Sequence, residues 1–217
     1  MKLLPYFLTL ATIVMVGTSH VTLAETLEVE YKRFYSHTKK LNNEDTQDLQ
    51  FAFGFINVRK PGVLCTVHSA EVVTQKVTLP LNVSPEYRFT VPTEKALKLA
   101  EAKIRIDLAE NANQCDMSVQ LETTKALLKT TYNTSELNNI YQQYSAFFNA
   151  MGSFMSFMMP SVEGINFQFS DPNLDIVINN DLRIEQGMLR IKKPQLAQLK
   201  QLNLPVKPLR ITALTAK

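Results

Sequence analysis

From Glu25 to about Thr131 apolar and polar residues alternate with period two, which marks strands with one face on a core and one in water. Leu27, Val29 and Tyr31 alternate with Glu28 and Glu30. After a polar stretch, Ser36 to Asp48, come Leu49, Phe51, Phe53 and Phe55 against Gln50, Ala52 and Gly54, the most hydrophobic strand and the one expected at the centre of a sheet. Arg59-Lys60-Pro61-Gly62 reads as a turn, with proline preset for the corner and glycine free to take positive φ. Val63, Cys65 and Val67 form the inward face of the next strand. Val77, Leu79, Leu81 and Val83 follow, and Pro80 among them cannot donate to a ladder, which predicts an edge. Phe89 and Val91 make a short piece before Pro92, and residues 93–102 have the composition of one short crossover helix. Ile104, Ile106 and Leu108, then Cys115, Met117, Val119 and Leu121, complete a set of six or seven strands in about 100 residues, the pattern of a β-sandwich.

The period changes after Asn133. Leu137, Ile140, Tyr144, Phe147, Met151, Phe154 and Met158 fall on one side of a helix predicted over about 135–159, with Asn138, Gln142, Ser145, Asn149, Ser153 and Ser156 opposite. Asn133 or Thr134 can cap it, and Glu136 suits the positive end of the helix dipole. Between Leu137 and Val162 there is no charged residue. The stripe reads first as a core face laid on a sheet. A competing reading makes Phe147, Met151, Phe154 and Met158 an apolar surface for a lipid or partner, because Met and Phe together suit adaptable binding. A membrane-surface helix would carry Lys and Arg on its polar face, and this face has none. Beyond Pro160 strand signals return at Ile165–Phe169, Leu174–Ile178, Leu182–Ile184 and Leu189–Ile191; residues 194–204 suggest a short helix, and Leu209 and Ile211 close the pattern. The fold class expected is α+β, with β-rich, antiparallel, sandwich-like sheets and one long amphipathic helix packed on them. Residues 25–131 would form the sandwich-like part and 132–217 the helix and further strands of the same compact domain.

Residues 1–24 stand apart from this pattern. Lys2, an uncharged apolar run from Leu3 to Gly17, and Thr22-Leu23-Ala24 with small residues at the cleavage positions predict a secretory signal peptide cut after Ala24. The apolar run is shorter than the roughly 20 residues a membrane span needs. Export to an oxidising compartment gives the only two cysteines, Cys65 and Cys115, a structural disulfide as their expected role. Cys65 and His68 are three apart, and on a strand such residues point to opposite faces, which argues against a shared metal.

The formal charge of +3 is too small to suggest a nucleic-acid partner. From Gln186 onward the chain carries Arg190, Lys192, Lys193, Lys200, Lys207, Arg210 and Lys217 and no acid. A solvated face is the plain reading; attraction to anionic envelope lipid is the alternative. His37 and His68 are the only histidines after Ala24, and no nucleophile elbow, paired-histidine zinc motif or phosphate-cradling glycine loop is present. His68 with Glu71 is a weak acid/base pair by spacing, and a hydrolase would need two of His37, His68, Glu71 and Asp116 to converge. Asp171 to Asp175 begins like a calcium loop, but Ile176 stands where glycine is needed and Leu182 where a glutamate should be. No cofactor and no catalytic or metal-ligating residue is expected.

In order and spacing the chain resembles an exported Gram-negative bacterial family known as domain of unknown function 2987. The features that carry the resemblance are the signal peptide, Cys65 in an early strand, Gln114-Cys115-Asp116 at a strand start, the uncharged Phe/Met helix with Gly152, and Pro160-Ser161-Val162-Glu163-Gly164-Ile165. The resemblance implies a periplasmic address and supplies no activity. The reading that results is a periplasmic, disulfide-linked, non-catalytic binding or envelope-associated module, whose partner would be envelope lipid or another periplasmic protein. A lipid- or membrane-surface-binding protein and a hydrolase with an unrecognised site are the alternatives.

Overall fold

The computed structural model describes residues 25–152 and 160–216. The predicted signal peptide therefore lies outside the described residues, as do Phe154 and Met158 of the predicted helix.

The elements run β1 (Glu25–Glu30), α1 (Tyr31–Thr38), β2 (Leu49–Asn57), β3 (Val67–Val73), β4 (Thr78–Leu81), β5 (Phe89–Thr90), α2 (Lys95–Leu99), β6 (Lys103–Leu108) and β7 (Cys115–Thr123). They continue with β8 (Thr131–Asn133), α3 (Thr134–Gly152), β9 (Val162–Gln168), β10 (Ile176–Val177), β11 (Arg183–Glu185), β12 (Met188–Lys192), α4 (Lys193–Gln198), β13 (Gln201–Asn203) and β14 (Arg210–Thr215). Every pairing is antiparallel, so the fold is α+β and β-rich as the alternation predicts.

The strands divide into sheets ordered β1-β6-β3-β4, β5-β2-β7, β10-β11-β12-β9-β14 and the pair β13-β8. In the first, Val29 and Val72 flank Ile104 while Leu27 and Ala70 flank Ile106. The even-numbered side chains of β6 are thereby sealed in the core. Pro80 sits in β4 at the edge of that sheet, opposite Glu71, where its missing N–H costs no ladder bond. β2 occupies the centre of its three-stranded sheet, and Phe53 and Phe55 are buried. β14 pairs with β9 and also lies beside β7, so the two halves of the chain share one apolar cluster.

Tyr31 ends the first strand instead of extending it. It opens α1, where Tyr31, Phe34 and Thr38 recur at helical spacing and are all buried. Its N–H bonds to the Ala102 carbonyl at 2.9 Å, and its hydroxyl donates to the Pro92 carbonyl at 2.6 Å and accepts from the Glu94 N–H at 2.9 Å. Phe34 then stands edge-on to Phe53 with ring centroids 4.9 Å apart. The helix predicted over 194–204 is shorter than expected. α4 stops at Gln198 because Gln201–Asn203 pairs with β8, setting Leu202 against Tyr132, both buried.

Asn133 caps α3. Its side-chain oxygen accepts from the Glu136 N–H and the Glu136 carboxylate accepts from the Asn133 N–H, each at 3.0 Å, a reciprocal capping box. Leu137, Ile140, Tyr141, Tyr144 and Phe147 face inward, and the buried Tyr144 hydroxyl donates to the Ile211 carbonyl of β14 at 2.7 Å. The opposite, uncharged face is exposed at Asn138, Gln142 and Asn149 and half-buried at Ser145; the polar residue that is covered borders the apolar stripe. Gln143 is 4 % exposed because it bonds both the Asp48 N–H, at 2.9 Å, and the Asp48 carboxylate, at 2.7 Å.

Candidate functional site

β2 is paired along its whole length with β7, from Leu49↔Thr123 to Asn57↔Cys115. On its other side β5 pairs only with Ala52 and Phe53. Pro92 supplies the local reason: it follows Val91 directly, lacks an N–H for a ladder, and its carbonyl is held by Tyr31. Beside Leu49, Gln50 and Phe51 an opening of about 490 Å³ remains, closed on its far side by Pro80 and Leu81 of the edge strand β4. A second opening of about 440 Å³ adjoins it and shares Gln50, Asn82 and Thr90. Together they make a groove with an uncharged end, where Thr38, Asn42 and Asn82 stand among Leu49, Phe51 and Leu81, and a charged end lined by Glu86, Arg88, Glu122, Lys125 and Arg210.

The charged end is built by strand register. Gln50 and Glu122 are cross-strand partners, and Gln50 Nε2 donates to Glu122 Oε1 at 3.1 Å. Arg210 begins β14, which lies beside β7, and this brings its guanidinium toward Glu122. Arg210 is only 8 % exposed, yet its nearest carboxylate oxygens are Glu86 Oε2 at 3.8 Å and Glu122 Oε2 at 3.9 Å, beyond hydrogen-bond range, and its Nε has no partner. Arg88 donates from Nη1 to the Ala52 carbonyl and from Nη2 to Ser118 Oγ, both at 3.3 Å, and its Nε is likewise unpartnered. Burial pushes the Glu122 carboxyl above its usual range, against the pull of Gln50 and the two arginines. Burial and the neighbouring Arg210 charge lower Arg88. Such a site favours a group that accepts hydrogen bonds and carries negative charge.

The residues singled out in the sequence fall elsewhere. Cys65 and Cys115 are joined by a disulfide that ties the approach to β3 to the start of β7, and both are buried. Glu110 lies beside the sulfurs, but both are spent in the bond and its carboxylate accepts from the Thr66 N–H at 2.8 Å, so the trio is no metal site. Phe147 is 8 % exposed and stands edge-on to Phe51 at 5.8 Å, so this ring packs into the core. Met151 is half-buried against the same cluster. Neither lines the groove.

His37, His68, Glu71 and Asp116 do not line it either. His37 packs against Phe51 and Phe53, His68 is exposed on β3, Glu71 pairs with Arg105 at 2.8 Å, and Asp116 is exposed on β7. Of the basic C-terminal residues, Arg190, Lys192, Lys193, Lys200 and Lys207 are exposed as a solvated face requires, and Arg210 is the exception.

Sequence reasoning missed Arg88, Glu122 and Arg210. Glu122 and Gln50 read as the wet side of their alternations, and Arg210 as one more surface charge. Only pairing of β2 with β7, and the position of β14 beside them, shows that these polar sides meet. A family model described as a protein of unknown function, DUF2987, matches residues 23–169, which include both cysteines, Gln50, Arg88 and Glu122 but not Arg210. No curated protein and no solved structure matches the chain.

Proposed function

This chain belongs to the DUF2987 family of proteins of unknown function, and we propose that it is an exported, periplasmic, non-catalytic module that binds its ligand in the groove beside β2. The observation that carries the reading is the groove itself, where two adjoining openings meet at Gln50, Asn82 and Thr90 and offer an uncharged wall of mixed apolar and polar side chains at one end and hydrogen-bonding charge at the other. Concave sites of this size with a few converging polar groups are where ligands bind. The side chains at the charged end are arginine, glutamate, glutamine and lysine, which hold and orient a ligand. The expected signal peptide and the disulfide support the address, since disulfides persist in oxidising compartments. The lipid-surface alternative rests on the Phe/Met helix and the basic C-terminal stretch; of its helix residues Phe147 is buried and Met151 half-buried, while Phe154 and Met158 lie outside the described residues.

The test is native mass spectrometry of full-length protein expressed in, and purified without detergent from, its own periplasm. The N-terminus is expected at Glu25, and the chain is expected to carry a bound mass that Asn82→Trp, at an exposed position lining both openings, releases. An apo mass for the unaltered protein, or a bound mass indifferent to that substitution, overturns the reading.

A further inference from the structure

Resting on the groove reading, we propose that its Arg88–Arg210 end is a site for an oxyanion, the carboxylate or phosphate group of the bound molecule. In folded proteins a buried charge is paired and hydrogen-bonded, and an exception calls for a missing partner. The Arg210 side chain is 10 % exposed, its Nε is unpartnered, and the two carboxylates facing it stand at 3.8 and 3.9 Å. Neither accepts a hydrogen bond from it. Glu122 already spends one oxygen on Gln50.

A second guanidinium lines the same opening. Arg88 is anchored by the Ala52 carbonyl and Ser118, so its plane is set, while its Nε is unpartnered as well. Two like charges held together in a half-buried pocket repel, and Arg210 indeed lowers Arg88. Lys125, exposed at the rim, adds a third positive charge against the two of Glu86 and Glu122. The planar fork of arginine matches a carboxylate or phosphate edge, so one oxyanion in the opening would pair with both guanidinium groups and relieve the repulsion. Water supplies acceptors but no charge, and so leaves the repulsion in place.

The experiment uses the full mature chain labelled with ¹⁵N-arginine, titrated with inorganic phosphate or with succinate against sodium chloride at matched ionic strength. The Nε–H signals of Arg88 and Arg210, assigned with Arg88→Lys and Arg210→Lys, are expected to move together and saturably with at least one of the two oxyanions and not with chloride. A phosphate-only response assigns a phosphorylated ligand and a succinate-only response a carboxylic one; either supports the site. Arg88→Lys keeps the charge and removes the fork, and is expected to weaken binding about tenfold or more, the loss of one charge-assisted hydrogen bond. Glu122→Gln keeps the shape and removes the competing charge, and is expected to tighten it. Signals that stay still, or that chloride moves equally, overturn the site, as does unchanged affinity in Glu122→Gln. If a neutral molecule is nevertheless carried from the periplasm and released by Asn82→Trp, the oxyanion assignment falls while the groove reading stands.

Discussion

Replacing both cysteines by alanine, Cys65→Ala with Cys115→Ala, tests how far the fold depends on its one covalent crosslink. Changing both avoids a free thiol. The bridged residues are 50 apart in sequence. In the chain-entropy model, closing a loop of that length lowers the stability of the unfolded chain by about 4 kcal/mol. The native state keeps other ties across the same junction. The Cys65 N–H donates to the Phe55 carbonyl at 2.7 Å, the Asn57 N–H to the Val63 carbonyl at 2.9 Å, and β2 remains fully paired with β7. The double variant is therefore expected to fold to the same structure and to be less stable by most of that figure. Urea unfolding followed by far-ultraviolet circular dichroism reads it directly. With a slope of about 2 kcal/mol per molar, typical of small proteins, the midpoint should fall by roughly 2 M. The thermal midpoint should drop by about 8–16 °C for a chain of this size. The slope itself should rise, because an uncrosslinked denatured chain exposes more surface. A midpoint within about 0.5 M of the unaltered protein would show that the unfolded chain is already compact at this loop, and would refute the entropic reasoning.

Phe147→Ala should cost about 3 kcal/mol or more, because it empties the space between α3 and Phe51; a loss under about 1 kcal/mol in the same urea assay would place the ring on the surface after all. Gly164→Ala should destabilise by about 2 kcal/mol or more or prevent soluble expression, since an added Cβ would lie 2.1 Å from the Ile191 carbonyl oxygen between β12 and β14; a near-native midpoint would show that the two strands separate easily there. Burial holds the His37 imidazole below its ordinary value of 6.5, so the unfolded chain takes up the proton more readily. Stability should accordingly fall as pH drops through 6.5 toward the lower folded value, and His37→Gln should flatten that slope; equal slopes in the two proteins, from urea midpoints measured across the range, would exclude the effect.

Much of the architecture is legible along the chain because it depends on local period. The alternation in Leu49–Phe55 marks a central strand, Pro80 an edge, and the change of period after Asn133 a capped helix, and each holds in the structure. The misses share a cause. Tyr31 continued the alternation of Leu27 and Val29 but is drawn into α1 by hydrogen bonds to Pro92, Glu94 and Ala102, partners some 60 to 70 residues away that no local window contains. Leu202 fits a helical spacing but is held in a strand by pairing with Tyr132. Local propensity is worth tenths of a kcal/mol per residue, and long-range burial overrides it.

The sequence by itself determined the β-rich class, one long helix without charge beyond its first turn, the pair of cysteines available to each other, and the lack of familiar catalytic motifs. Tertiary structure alone decided which polar residues matter. Alternation says that Gln50 and Glu122 face away from a core; it cannot say that they face each other, nor that Arg210 arrives beside them instead of remaining in solvent with Lys200 and Lys207. Period two reports which side of a strand is wet, whereas a site forms where the wet sides of strands distant in sequence are brought together, and that depends on strand order and register. The helix shows the same division. Its period marks the Tyr144 and Phe147 side as buried, but the burial of Gln143 at the edge of that side depended on Asp48, distant in sequence, closing over it.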